Sequence, residues 1–106
     1  MEDCVFCKIV KKEIPADIIK ETEGFLVIPD IRPSAPLHLL IIPKVHIEDI
    51  RGISDEQWME VKKIALELGE EKNQVGYRLA NNAGEAAAIK HFHVHFMGGI
   101  KSDHRL

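Results

Sequence analysis

Apolar and polar residues alternate strictly from His91 to Met97, where His91, His93 and His95 interleave with Phe92, Val94 and Phe96. A β-strand has a side-chain period of two, so this segment predicts a strand with three imidazoles on one face and an apolar row on the other. Leu37 to Ile42 is a nearly continuous apolar run, broken by His38 and ended by Pro43; it predicts a central strand covered on both faces. Asp17–Glu21 and Phe25–Pro29 read as short strands around the turn pair Glu23-Gly24, and Gly76–Asn81 as a further strand. The period changes to a helical one in two places. Cys4 to Lys12 carries Val5, Ile9 and Val10 with lysines in its last turn. Ser54 with Gln57 forms a capping-box signature ahead of Trp58, Val61, Ile64/Ala65 and Leu68, a helix expected to end near Asn73 with Trp58 facing the core. Pro29, Pro33 and Pro36 punctuate an irregular stretch from Asp30 to Pro36 that suits a ligand-shaped loop. The sum is an α+β fold: about five strands in a mainly antiparallel sheet, one long helix and one short helix.

Composition narrows the picture further. With 106 residues and 45% hydrophobic content, residues 1–106 suit one compact domain, small enough for a structural metal or a dimer partner to help stability. A net charge of −3 leaves no basic footprint for nucleic acid. No apolar run approaches the roughly 18 residues of a membrane-spanning helix. The N-terminus opens acidic rather than with the basic region of a signal peptide, so a cytoplasmic protein is expected. In that compartment Cys4 and Cys7 stay reduced and read as metal ligands rather than a disulfide.

The candidate chemistry lies in the cysteines and histidines. Cys4-Val5-Phe6-Cys7 has the spacing at which two thiolates reach one tetrahedral ion, which predicts a structural zinc; six histidines could supply the remaining ligands. A thiol redox motif would instead follow a strand in a βαβ context, and none precedes Cys4. Strand geometry separates residues two apart by about 6.6 Å and the outer histidines of the row by about 13 Å. Ligand nitrogens sit roughly 2 Å from a zinc ion, so the row is expected to divide its work, with one end serving a metal and the rest a substrate. Neutral imidazole is a competent nucleophile toward phosphorus, and a second imidazole on the same face can meet the phosphate oxygens. His93 and His95 have that spacing, and His38 on a neighbouring strand would add a third donor.

The motif His91-Phe92-His93-Val94-His95-Phe96-Met97 followed by Gly98-Gly99 resembles the signature of the histidine triad (HIT) family, and within it the Hint branch of bacterial zinc-containing type. Further segments are similar to Hint proteins: Lys11 to Ala16, Pro29 to Pro33, Ala35 to His38, Ile42 to Ile47 and Tyr77 to Leu79. The resemblance implies a homodimeric nucleotide hydrolase that cleaves purine nucleoside phosphoramidates, or related AMP conjugates, at the α-phosphate through a nucleotidyl-histidine. It implies His93 as nucleophile, with His95 and His38 orienting or stabilising the phosphate, and Asn82 as a phosphate contact. Asp30 would accept hydrogen bonds from the ribose hydroxyls, and Phe6, Ile14, Ile28, Ile31 and Leu40 would form the base pocket. Cys4, Cys7, His46 and His91 would hold the zinc. His95 favours the hydrolase side over the uridylyltransferase branch, which resembles His-x-His-x-Gln. Where the family has Gly-Gln-Ser/Thr-Val this chain has Ala86-Ala87-Ala88-Ile89, so a hydroxyl donor is missing at Ala88. That departure motivates an alternative: a nucleotide-binding, zinc-stabilised interaction protein with little catalysis. Lys90, just before the triad, reads as a solvated edge lysine.

Overall fold

A computed structural model describes residues 3–105; residues 1, 2 and 106 of the expected domain lie outside it. Five strands form one antiparallel sheet: β1 (Lys20–Glu21), β2 (Phe25–Pro29), β3 (Leu37–Pro43), β4 (Tyr77–Ala80) and β5 (Val94–Gly98), in the order β1-β2-β3-β5-β4. Two helices accompany it, α1 (Val5–Val10) and α2 (Asp55–Glu71). This is the α+β architecture that the periodicity predicts.

The period of two sorts each strand's side chains onto two faces. On one face Phe25, Val27, Leu39, Ile41, Val94 and Phe96 pack with Phe92 against Val61, Ile64, Ala65 and Leu68 of α2. On the other face Ile28, Leu40 and Ile42 pack with Phe6 of α1. β3 contributes to both because both of its faces are covered, which explains its unbroken apolar run. Each large side chain so buried contributes about 1.5–3 kcal/mol, and those terms hold the sheet between its helices.

Local chemistry sets the helix ends. Ser54 Oγ accepts from the Gln57 amide at 3.1 Å and Gln57 Oε1 accepts from the Ser54 amide at 2.8 Å, completing the capping box. Past the last residue of α2, Asn73 takes a left-handed φ of 54°, and the Asn73 and Gln74 amides return to the carbonyls of Glu70 and Gly69. At the start of α1 the Cys4 sulfur accepts from the Cys7 amide at 3.4 Å, so this cysteine is also the helix cap.

Several features depart from the sequence reading. Trp58 remains 44% exposed, with its ring edge-on to Phe92 at 5.8 Å, because the buried stripe of α2 begins one turn later at Val61. The last strand begins at Val94 rather than His91. Its predecessors have left the ladder: the Phe92 amide donates to the Ile47 carbonyl, and Pro43, at the end of β3, has no amide with which to continue the pairing. β1 and β4 are likewise shorter than expected, and short 3-10 turns at Ile50–Gly52 and Gly84–Ala86 had no signal in the periodicity.

Candidate functional site

His91, His93 and His95 lie on the α1 side of the sheet even though only His95 falls inside β5. Phe6 of α1 meets the edges of His91 and His93 at centroid distances of 5.7 and 5.1 Å. The histidines divide between two clusters. Cys4, Cys7, His46 and His91 form one and Asp30, His38 and His95 the other, each with its candidate ligand atoms within 4.8 Å of one another.

In the first cluster His91 is fully buried, and its Nε2 lies 2.8 Å from the Pro43 carbonyl. A carbonyl only accepts, so Nε2 carries the proton and Nδ1 presents a lone pair. That Nδ1 lies 3.2 Å from Cys4 Sγ and 3.5 Å from Cys7 Sγ, while His46 Nδ1 lies 3.2 Å from Cys7 Sγ. Bonds of about 2.3 Å to sulfur and 2.0 Å to nitrogen at tetrahedral angles give sulfur–nitrogen edges of about 3.5 Å, so the four donors fit one tetrahedral ion. Burial, reinforced by the Cys4 sulfur beside it, pushes the Cys7 thiol up, and burial pushes His91 down. A bound cation would reverse the first effect by stabilising the thiolate.

The second cluster has a different logic. The Ser34 amide donates to His38 Nδ1 at 2.9 Å, which fixes the ring proton on Nε2. His38 Nε2 then donates to His95 Nδ1 at 2.9 Å, with Asp30 Oδ2 3.4 Å from the same nitrogen. His95 in turn carries its proton on Nε2. Burial, then the neighbouring His93 and His38, push His95 down and keep it neutral. A metal on His38 Nε2 would need the lone pair that this tautomer lacks, so the Asp30-His38-His95 group is a hydrogen-bond relay and not a metal site. Between the clusters, His93 Nδ1 donates to the His91 carbonyl at 2.8 Å, which leaves its Nε2 unprotonated. The ring is buried, and its centroid is 5.1 Å from that of His95.

The remaining expected site residues are more dispersed. Asn82 is exposed just past β4. Asp30 Oδ1 accepts from the Arg32 amide at 2.8 Å. Phe6, Ile28 and Leu40 are buried together with Ile42. Ile14 lies outside that cluster, in a shallow cleft of about 300 Å³ that it shares with Ile9, Pro15 and Ile18. Ile31 is 93% exposed on the loop after β2.

A family model described as "Scavenger mRNA decapping enzyme C-term binding" matches residues 3–105. Protein HitA of Neisseria gonorrhoeae is 36% identical over 104 residues, covering 92% of this chain and 97% of that protein. The chain belongs to the histidine triad (HIT) family. Among solved structures, a HIT family hydrolase from Clostridium thermocellum is 39% identical with a TM-score of 0.90, covering 100% of this chain and 98% of the other. A zinc-bound histidine triad family protein from Mycobacterium smegmatis is 33% identical with a TM-score of 0.85, covering 96% of this chain and 78% of that one. HIT membership and the histidine cluster together support nucleotidyl-transfer chemistry of the hydrolase kind, and the Cys/His group is able to coordinate a metal. No helix among the described residues is long and apolar enough to cross a membrane.

Several residues that organise this HIT site carried no motif signal. Lys90 is not a free solvated lysine: its amine donates to the Gly84 and Ala87 carbonyls, the latter at 2.9 Å, and closes the turn that follows Asn82. Gly84 adopts a φ of 61° there, a conformation that disfavours other residues. Asp49, buried, accepts from the Arg51 amide and guanidinium at 2.5–3.2 Å. Those contacts with Arg51 hold its carboxyl down to about 2. The carboxylate therefore caps the short turn Ile50–Gly52 that follows the loop bearing His46. Because its folded value lies below the unfolded one near 3.9, its contribution is complete above that value and lost as pH falls toward 2. Asp49→Asn is expected to raise the midpoint of acid unfolding, measured by circular dichroism, with little change at pH 7 in zinc content. An unchanged acid midpoint would contradict this role.

Proposed function

We propose that this HIT protein is a Hint-type hydrolase that cleaves purine nucleoside phosphoramidates, or related AMP conjugates, at the α-phosphate through a nucleotidyl-His93 intermediate. The observation that carries the proposal is the tautomer set: in its neutral form the His93 ring has its lone pair on Nε2, and its centroid is 5.1 Å from that of His95, whose proton is on Nε2. His93 Nε2 attacks phosphorus, the bond to the leaving nitrogen breaks, and that nitrogen takes a proton from solvent, since Ala88 offers no hydroxyl. His95 Nε2–H donates to a non-bridging oxygen, where a preorganised donor is worth about 3–4 kcal/mol of transition-state stabilisation. The proton that His93 keeps on Nδ1, donated in a hydrogen bond to the His91 carbonyl, makes the nucleotidylated ring an imidazolium and so a good leaving group. Water then attacks phosphorus, AMP leaves, its proton goes to solvent and His93 returns neutral. Asn82 contacts the phosphate, Asp30 the ribose, and the Phe6, Ile28, Leu40 side of the sheet, with Ile14 and Ile31, the purine.

Cys4, Cys7, His46 and His91 would hold a structural zinc, a reading supported by their donor set and by the zinc-bound relative. The ion would supply charge to keep both sulfurs as thiolates. We place the protein in the cytoplasm, acting on nucleotides rather than nucleic acid. Incubation with adenosine 5′-phosphoramidate should release AMP; no AMP above the uncatalysed background would remove this reading. The absence of a hydroxyl at Ala88 favours a second reading, a zinc-stabilised binding protein, which predicts AMP binding by calorimetry without product.

A homodimer completes the proposal. An apolar groove of about 470 Å³, lined by Ile50, Trp58, Met59, Val61, Leu79 and Val94, runs beside the edge strand β4. Met59 is 71% and Leu79 45% exposed there. A second copy placed on this groove would cover both the apolar side chains and the strand edge. Sedimentation should give a dimer for the wild type at micromolar concentration and a monomer for Met59→Asp/Leu79→Asp. A wild-type monomer would contradict it.

A further inference from the structure

His93 stands at a break in the sheet. β4 and β5 are paired through Ala80↔His95, and the next residues of β5's strand direction, Val94 and His93, would face Asn81 and Asn82 if the ladder continued. It does not continue: β4 ends at Ala80, and the backbone of Asn82 leaves toward the exposed turn at Gly84–Ala86. On the other side, pairing between β3 and β5 stops at Ile41↔Val94. The segment carrying His93 is thus outside both ladders, although its ring must hold position to within a fraction of an ångström for in-line attack. The carbonyl of His93 is not left without a partner. Asn81 Nδ2 donates to it at 2.8 Å, from a half-buried side chain at the end of β4.

We infer that Asn81 is a positioning residue for His93, its side-chain amide replacing the backbone donor that Asn82 would have supplied in a continued ladder. The substitution has two consequences. His93 becomes fixed at both ends of its own residue, the carbonyl by Asn81 and ring Nδ1 by the His91 carbonyl. Asn82, released from pairing, is free to turn its amide toward a ligand. Asn81 touches no reacting atom in this scheme; it acts through the backbone of the nucleophile. The inference rests on the reading of His93 as nucleophile for its catalytic consequence, but not for the hydrogen bond itself.

The test uses Asn81→Ala and the isosteric Asn81→Asp in the 106-residue chain; the latter keeps the volume and removes the donor. Steady-state cleavage of adenosine 5′-phosphoramidate should show kcat lowered about a hundredfold in both variants, the size expected for an ångström-scale misplacement. The Kd for AMP by calorimetry should stay within about twofold, because no phosphate, ribose or base contact is removed. Amide hydrogen exchange should rise in the segment 91–94 while α2 and β2 keep wild-type protection. Wild-type kcat in both variants, unchanged exchange at 91–94, or AMP affinity falling in parallel with kcat would each overturn the inference. If the wild type itself releases no AMP, the hydrolase reading fails on its own, and the exchange measurement still decides whether Asn81 holds this segment.

Discussion

Replacing His93 by alanine should abolish turnover of adenosine 5′-phosphoramidate, lowering kcat by about four to six powers of ten, or roughly 5.5–8 kcal/mol of transition-state stabilisation. The size follows from the kind of role proposed. A nucleophile that forms a covalent intermediate opens a route that no other group in the cluster can open, because the Nε2 nitrogens of His38 and His95 carry protons and His91 Nδ1 faces the thiols. His95→Ala should cost less, about two to three powers of ten, since it removes one donor to a phosphate oxygen. AMP affinity should survive His93→Ala, because the variant deletes no proposed ribose or base contact. Thermal unfolding serves as the control, since the His93 ring packs against Phe6. Equal kcat for wild type and His93→Ala would place the nucleophile elsewhere.

Removing the metal should have the largest effect on stability. Freshly purified protein is expected to contain about one zinc per chain, matching the single four-ligand tetrahedral site. Cys4 caps α1 and Cys7 lies within it, His46 belongs to the loop after β3 and His91 to the segment before β5, so the ion would cross-link three stretches of the chain. Cys7→Ala should abolish zinc binding and cost about 3 kcal/mol, which for a chain near 100 residues lowers Tm by roughly 12–24 °C. Chelation of the wild type should give a similar shift, and AMP affinity should fall much less, because Asp30, His38 and His95 are held by β2, β3 and β5. The pH dependence has a definite sign. Burial raises the Cys7 thiol and zinc requires the thiolate, so binding releases protons and zinc affinity weakens as pH falls. Elemental analysis showing no metal in unchelated protein, or equal Tm for Cys7→Ala and wild type, would contradict this.

Much of the fold was legible because period and burial agree. β3 reads as a covered central strand and α2 as a capped amphipathic helix, and each forms where its pattern lies. The boundaries were less legible. His91-Phe92-His93 keeps the two-residue alternation, and its side chains keep to their faces, yet its backbone groups bond to the Ile47 carbonyl, the His93 ring and the Asn81 side chain rather than to a ladder. Periodicity reports faces and is blind to hydrogen-bond partners. Trp58 shows the same limit from the other side: its place in the apolar stripe is correct, but the sheet covers only the turns from Val61 onward. For the site, spacing alone foresaw that the histidine row divides between two groups of side chains. The tautomers and the Lys90 clamp depend on backbone carbonyls and amides brought together by loops, for which the sequence has no local signature beyond the turn glycine at Gly84.

Covalent catalysis by His93 is open to a test by rapid quenching. The protein is mixed with adenosine 5′-phosphoramidate, stopped under alkaline conditions that preserve phosphorus–nitrogen bonds to imidazole, digested and mapped by mass spectrometry. An adenylyl group is expected on His93, forming and disappearing within the turnover time and absent in His93→Ala. AMP release with no adduct at any time, or an adduct on His95 or His38 instead, would contradict it.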